Sequence, residues 1–369
     1  MVISKIKTHE ISTVDVRIGL CMIVKNEADV IRRCLASVRP WISHWTIVDT
    51  GSTDGTQALI RQAMQGLEGA LHERPWKNFG HNRTEALQLA RPHADYLLVI
   101  DADEVFQVRK GFSWPEMHAD AYSVLIEHGE TLRYQRTCLF STRKPWCYKG
   151  VLHEYPDMGE PCIPQVMDGL SVLYTTQGAR SKNPNKFRDD AKVFEQALRD
   201  EPQNERYWFY LAQSWRDCGE LEQAICCYQH RAQLPGWDEE TWYACYQVAR
   251  LMEQAGYEES LVLNAYLRAY ELRPQRAESM VWLLAYLRSK QRWRLAALFL
   301  EPLLKIATTD DRLFVEQDCY EWRRADELAL VFFYTNDKTK AKQLWQRLLQ
   351  LYQAPQSEIQ RIKNNIGYC

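Results

Sequence analysis

Up to about residue 180 the chain alternates short apolar runs with segments of helical spacing; beyond Lys186 only helical spacing remains. Ile18 to Val24 is an apolar run of the kind that forms a strand buried on both faces, and Lys25-Asn26-Glu27 ends it. Val30, Ile31, Cys34, Leu35 and Val38 then recur along one face of a helix over Ala28 to Val38, with Pro40 beyond its end. Trp45 to Val48 reads as a second strand. It is closed by Asp49-Thr50-Gly51-Ser52-Thr53-Asp54-Gly55, a cluster that serves as turn and helix N-cap together. A helix to about Gln65, a strand over Leu71 to Arg74, a helix over Asn82 to Ala90 and a strand over Tyr96 to Ile100 follow. This β-α-β-α-β-α-β alternation predicts a mainly parallel sheet. Tyr122 to Ile126, Tyr134 to Phe140 and Leu170 to Tyr174 are expected as strands of a mixed edge, with Pro156, Pro161 and Pro164 in the loops between them.

The helical half is punctuated by Pro202, Pro235-Gly236, Pro274 and Pro355. Trp208, Leu211, Ala212, Trp215, Ala224 and Tyr228 sit at tetratricopeptide-like spacings, with Gly219 in the turn between two helices. Val281, Leu284, Ala285 and Ala297 repeat part of that pattern, and Trp242, Ala249 and Gly256 fit it loosely. The expectation is an all-α array of about four helix pairs. The division falls at Arg180-Ser181-Lys182-Asn183-Pro184, giving domains at 1–182 and 183–369.

Bulk composition narrows the function only modestly. A net charge of -2 gives no general electrostatic case for nucleic acid or an anionic membrane. The 11 cysteines are irregularly spaced, with no Cys-x-x-Cys pair, which argues against a zinc site or a disulfide framework. With no apolar run of membrane-spanning length and no leader pattern at the start, a cytoplasmic protein with reduced thiols is expected.

The chemistry lies at the ends of the apolar runs. Tyr96-Leu97-Leu98-Val99-Ile100 leads directly into Asp101-Ala102-Asp103-Glu104. In open α/β sheets, ligands bind at the carboxyl ends of the strands. Two carboxylates two residues apart share a side if the extended backbone persists, and such a pair suits a hard divalent cation and its diphosphate. Asn26-Glu27 and Asp49 end neighbouring runs, so three polar tips converge on one crevice.

At these residues the chain resembles the family 2 glycosyltransferases, which have the GT-A fold. The resemblance is carried by Cys21-Met22-Ile23-Val24-Lys25-Asn26-Glu27, by Val48-Asp49-Thr50-Gly51-Ser52-Thr53-Asp54-Gly55-Thr56, and by Trp76 with Phe79 and Asn82-Arg83. Ile100-Asp101-Ala102-Asp103-Glu104 and the later Tyr148-Lys149-Gly150-Val151-Leu152-His153-Glu154 complete it. It covers about residues 16 to 180. The helical half is similar to the tetratricopeptide-type extension of some members.

The resemblance implies a Rossmann-like GT-A domain that transfers a sugar from a nucleotide-sugar, with a UDP-sugar expected, to an acceptor hydroxyl with inversion. Asn26, Glu27, Asp49, Arg83, Asp101 and Trp146 are the expected donor-binding residues. Asp103, with His153, is expected to hold Mn²⁺ or Mg²⁺. Glu154, or Asp157 three residues on, is expected as the base that takes the acceptor's proton. Thr50 stands where many relatives carry a second acid that reads the base, which leaves the donor base open. A protein loop, a glycan and a modified nucleic acid base are all possible acceptors. Two rival classes remain. One is a non-catalytic nucleotide-sugar-binding protein that uses its repeats as a peptide scaffold; the other is a nucleotidyltransferase.

Overall fold

A computed structural model describes residues 16–128, 132–352 and 354–369. The leader expectation concerns the first 15 residues and lies outside this range. The chain divides into two compact units, 1–186 and 187–369.

The first unit runs β1 (Ile18–Val24), α1 (Ile31–Val38), β2 (His44–Asp49), α2 (Thr56–Ala63), β3 (Gly69–Glu73), α3 (Phe79–Ala90) and β4 (Tyr96–Val99). It continues with β5 (Val105–Val108), β6 (Ala121–His128), β7 (Leu132–Ser141), the short strands β8 (Cys147–Lys149) and β9 (Tyr155–Asp157), and β10 (Gln165–Leu173). Among the described residues, eight strands form one sheet in the order β3-β2-β1-β4-β7-β6-β10-β5. The first four are mutually parallel, as the alternation predicts. Beyond β4 the sheet is mixed: β7 is antiparallel to both β4 and β6, β10 is parallel to β6, and β5 is antiparallel to β10. β8 and β9 pair as a separate hairpin.

The all-apolar runs are explained by burial on both faces. Leu20, Met22 and Val24 of β1 and Leu98 of β4 join Ile31, Cys34, Leu35 and Ile60 of α1 and α2 in one core. Cys21, Leu97 and Val99 alternate to the other face and join Ala86, Leu87 and Ala90 of α3. Gly80 lets the start of α3 meet the loop after β8. A Cβ there would lie 2.3 Å from the Gly150 carbonyl oxygen, and the Gly80 N–H donates to that oxygen at 3.2 Å.

The second unit is helical: α4 (Lys186–Asp200), α5 (Glu205–Asp217), α6 (Leu221–Arg231), α7 (Asp238–Gln254), α8 (Glu259–Leu272) and α9 (Glu278–Ser289), then the short α10 (Trp293–Ala297) and α11 (Leu300–Lys305). α12 (Trp322–Tyr334), α13 (Lys338–Leu351) and α14 (Gln356–Gly367) complete it. α5 with α6, α7 with α8, α9 with α10, and α12 with α13 pack as successive hairpins, in keeping with the expected helix pairs. Ala212 and Ala224 are fully buried between α5 and α6, where only a small side chain lets two helices approach closely, and Tyr228 is buried with them. The segment between α11 and α12 is pinned by polar contacts. Arg276 pairs with Glu278 and Asp311, while Glu316 accepts from the Tyr246 hydroxyl at 2.6 Å and from Trp282 Nε1 at 2.8 Å. Among the described residues no helix is long and apolar enough to cross a membrane.

Candidate active site

The carboxyl ends of β1, β2 and β4 adjoin, and their loops are stapled to one another. Asn26 adopts φ 58°, a left-handed conformation that asparagine tolerates. Its N–H donates to Ser52 Oγ at 2.8 Å and its Oδ1 accepts the Thr53 N–H at 2.8 Å. The Glu27 N–H donates to Thr56 Oγ1, and the Ala28 N–H to Asp54 Oδ2, both at 2.9 Å. Asp49 is buried at the end of β2, where Oδ1 accepts the Gly51 and Ser52 N–H groups and the Gln57 side-chain amide. Its Oδ2 is buried without a hydrogen-bond partner among the described residues. The side chain of Asn26 and one oxygen of Asp49 therefore shape the loops, which is more than their expected role of touching a donor.

Beyond β4 the acids meet a single arginine. Arg83, on α3, donates through Nη2 to Asp101 Oδ1 at 2.6 Å and through Nε to Glu154 Oε1 at 2.5 Å. Burial works against its charge, but Asp101 and Glu154 more than compensate and hold it protonated. Burial likewise works to raise the Asp101 carboxyl, yet Arg83 and Arg136 outweigh it and keep that carboxyl below the usual range.

Glu104 lies beneath. It is fully buried, accepts from Arg136 Nη1 and Nη2 at 2.7 Å each, and accepts the Asp101 N–H at 2.9 Å. Burial, then Asp101, raises the Glu104 carboxyl and Arg136 opposes them; with three N–H donors pointing at it, this carboxyl is the acceptor that fixes the start of the Asp101-Ala102-Asp103 turn.

Asp103 and Glu27 face a segment that follows β10. Asp103 Oδ2 accepts the Gly178 N–H at 3.3 Å, and Glu27 Oε2 accepts the Ala179 N–H at 3.2 Å. A Cβ at residue 178 would lie 2.8 Å from Asp103 Oδ2 and 3.1 Å from its Cγ, so a larger residue there would have to push the Asp103 carboxylate aside. Arg33 holds the segment, donating to the Asp103 carbonyl at 3.0 Å, to Thr175 Oγ1 at 3.1 Å and to Gln177 Oε1 at 2.5 Å. Burial first, then repulsion from Asp101, raises the Asp103 carboxyl. Burial, with Asp103, Asp101 and Asp54 nearby, pushes Glu27 up to about 7. Acids that raise one another's pKa in this way suit a divalent cation, because a hard cation relieves the repulsion that protonation otherwise relieves.

The structure thus brings Glu27, Arg83, Asp101, Asp103 and Glu154 into one electrostatic group, with Asn26 and Asp49 on the adjoining tips. It does not bring Trp146 there. That ring packs edge-on against Phe140 at 5.1 Å, in the core beneath α3, so stacking on a sugar is not a role its packing offers. Asp157 is likewise outside the Arg83 network. It pairs with Lys149 Nζ at 2.7 Å across the β8–β9 hairpin, and that contact holds its carboxyl below the usual range. His153 is exposed at φ 50°, beside Glu154. Its nitrogens do not converge with the Asp101 and Asp103 oxygens to within 4.8 Å, so these three described residues are not a preformed ligand set. Arg136, Arg33 and the Gly178-Ala179 amides were not foreseen. Arg136 alone left a trace in the sequence, as a cation two residues before Cys138, where the buried end of its strand begins.

Residues 20–110 match the family model described as Glycosyl transferase family 2. A TPR repeat-containing protein of Synechococcus elongatus is 34% identical over 150 residues, covering 38% of this chain and 36% of the relative. The SPbeta prophage-derived glycosyltransferase SunS of Bacillus subtilis is 23% identical over 216 residues, covering 55% of this chain and 50% of the relative. The chain thus spans half or less of the length of these curated relatives. Among solved structures, MamA aligns with 48% of this chain and 95% of its own, at 17% identity and a TM-score of 0.37.

Proposed function

We propose that this chain, which carries a glycosyl transferase family 2 domain over residues 20–110, is a metal-dependent inverting glycosyltransferase that uses a nucleotide-sugar donor. A UDP-sugar is the first donor to test. The observation that carries the reading is Arg83 bridging Asp101 and Glu154 beside the mutually repelling Asp103 and Glu27. SunS, a distant relative, is itself described as a glycosyltransferase. A cytoplasmic location belongs to the same proposal, and eleven cysteines free of disulfides suit a reducing compartment.

Asp103 is the residue to ligate Mn²⁺ or Mg²⁺ directly, with Glu27 and Asp101 balancing its charge. Hard oxygen donors match those ions, and Mg²⁺ in particular retains waters where protein ligands are few. A bound divalent ion supplies charge stabilisation to the departing diphosphate.

The chain's own residues do the rest. Arg83 orients Glu154 through Oε1, so that Oε2 faces the task of accepting a proton. The acceptor oxygen bonds to the anomeric carbon as the bond from that carbon to the diphosphate oxygen breaks on the opposite face. The acceptor's proton passes to Glu154, and the nucleoside diphosphate leaves with the electron pair. The acceptor class, whether protein, glycan or modified base, is part of what the assay decides.

The test is release of nucleoside diphosphate from a panel of nucleotide-sugars with Mn²⁺, with and without acceptors. Asp103→Ala should abolish turnover and Mn²⁺ stimulation together while thermal unfolding stays as in wild type. Donor binding without turnover under any acceptor condition would instead make the chain a non-catalytic nucleotide-sugar-binding protein.

A further inference from the structure

Trp76 is 40% exposed beside the candidate site, although an indole ring is among the side chains with most to gain from burial. Its backbone is tightly held. Asn82, fully buried on α3, accepts the Lys77 N–H through Oδ1 at 3.0 Å and donates through Nδ2 to the Pro75 carbonyl at 3.1 Å. One buried carboxamide therefore brackets Trp76 on both sides. Phe79 meets the indole edge-on, with ring centres 4.7 Å apart, and the Arg180 guanidinium lies over Phe79 at 4.8 Å. The molecule thus commits a buried polar side chain to presenting this ring, which ordinary surface packing does not require.

Its place in the sheet sets it at one end of the row of strand tips. The carboxyl ends of the parallel strands run β4, β1, β2, β3 in space. Asp101 and Asp103 follow β4, Glu27 follows β1, and Asp49 ends β2. Glu73, the register partner of Asp49, ends β3 three residues before Trp76. The Arg74 N–H donates to the Asp49 carbonyl at 2.9 Å, which ties this loop to the β2 tip. Adjacent strands lie about 4.8 Å apart, so the β3 tip is about 14 Å from the β4 tip. A nucleoside diphosphate anchored at Asp103 is long enough to reach along this row of tips. The buried, unpartnered Asp49 Oδ2 marks the same end as short of one N–H donor.

Resting on the reading above, we infer that Trp76 is a donor-binding residue whose indole stacks on the nucleobase. Every base has a π face, so the ring supplies affinity for the nucleoside end without choosing among bases.

The test uses the full chain with Mn²⁺ and calorimetric titration of UDP, CDP, ADP and GDP, with ribose 5-diphosphate as the ligand lacking a base. Trp76→Ala should weaken the best-bound nucleoside diphosphate about 5- to 150-fold, the range of one lost base–aromatic stack, and leave ribose 5-diphosphate unchanged. Trp76→Phe, which keeps a ring, should retain most of the affinity and guards against loss by misfolding. Equal weakening of both ligand types, no weakening of either, or an effect confined to the acceptor's KM overturns the inference. If wild type binds none of the four nucleotides, the nucleotide-sugar reading itself fails; if wild type binds and Trp76→Ala binds equally, only the stacking role falls.

Discussion

The buried Glu104–Arg136 pair offers the sharpest test of how the acid turn is positioned. Glu104 is fully buried, whereas the Arg136 side chain keeps 30% of its surface in contact with solvent. The two single substitutions should therefore be unequal. Arg136→Met strands a buried carboxylate whose only remaining donor among the contacts described is the Asp101 amide, a loss of about 3–5 kcal/mol by comparison with other broken buried pairs. Glu104→Gln leaves a guanidinium that reaches water, at a cost of about 1–3 kcal/mol. In the double variant, the carboxamide introduced at position 104 is neutral and can still accept the Asp101 N–H. The double variant should therefore recover at least about 2 kcal/mol of what Arg136→Met loses. Hydrogen exchange of the β4 and β7 amides in the full chain reads these differences locally; about 3–5 kcal/mol corresponds to protection lowered by about two to four orders of magnitude. On the proposed role of Asp103, Mn²⁺ affinity should fall about 10-fold or more in Arg136→Met, because a group that orients the proposed metal-binding turn has been removed. If Arg136→Met loses less than Glu104→Gln, or Mn²⁺ affinity is unmoved while protection collapses, the pair stabilises the sheet without positioning Asp101 and Asp103.

Arg83→Lys keeps the charge but cannot reach both Asp101 and Glu154 in a planar fork, so kcat should drop about 10²-fold or more with little change in fold, checked by steady-state kinetics and circular dichroism. Glu27 is raised from 4.5 to about 7, so the folded metal-free protein holds a proton there that the unfolded chain releases earlier. Stability from this group is full below pH 4.5 and declines as pH rises through about 7, an upper bound of about 3 kcal/mol that solvent contact reduces to about 1–2. Glu27→Gln should flatten that decline in thermal unfolding measured from about pH 5 to 8; an unchanged slope would show that Glu27 is not the titrating group. Gly80→Ala would push a methyl group against the Gly150 carbonyl, and should lower stability by about 1–3 kcal/mol and weaken activity through Glu154, measured by urea unfolding and turnover.

Much of the fold was legible in the sequence because it depends on local period. β1, β2 and β4 read as buried strands since both of their faces are covered, and α1 read as a helix since Ile31, Cys34, Leu35 and Val38 face one core. The helix pairs were legible because Ala212 and Ala224 mark close approach and Gly219, at φ +80°, marks the turn between α5 and α6. β5, β8 and β9 leave no such signal; they are only three or four residues long, too short for any period to declare itself.

What the sequence by itself determined was which residue types lie at the strand ends: Asn26-Glu27, Asp49, Asp101 and Asp103, each following an apolar run that sets its position along one strand. What only the tertiary structure decided was which of the later residues join them. Arg83 meets Asp101 and Glu154 across separations of 18 and 71 residues, Arg136 meets Glu104 across 32, and Gly178 meets Asp103 across 75. Glu154 and Asp157 look alike in the sequence, and they part only when α3 delivers Arg83, which also holds Asp101, to one, while Lys149 holds the other across the β8–β9 hairpin. The physical reason is that hydrophobic period is a property of neighbours along the chain, whereas the pairing of charges depends on distance and burial in the folded state, which no single segment encodes.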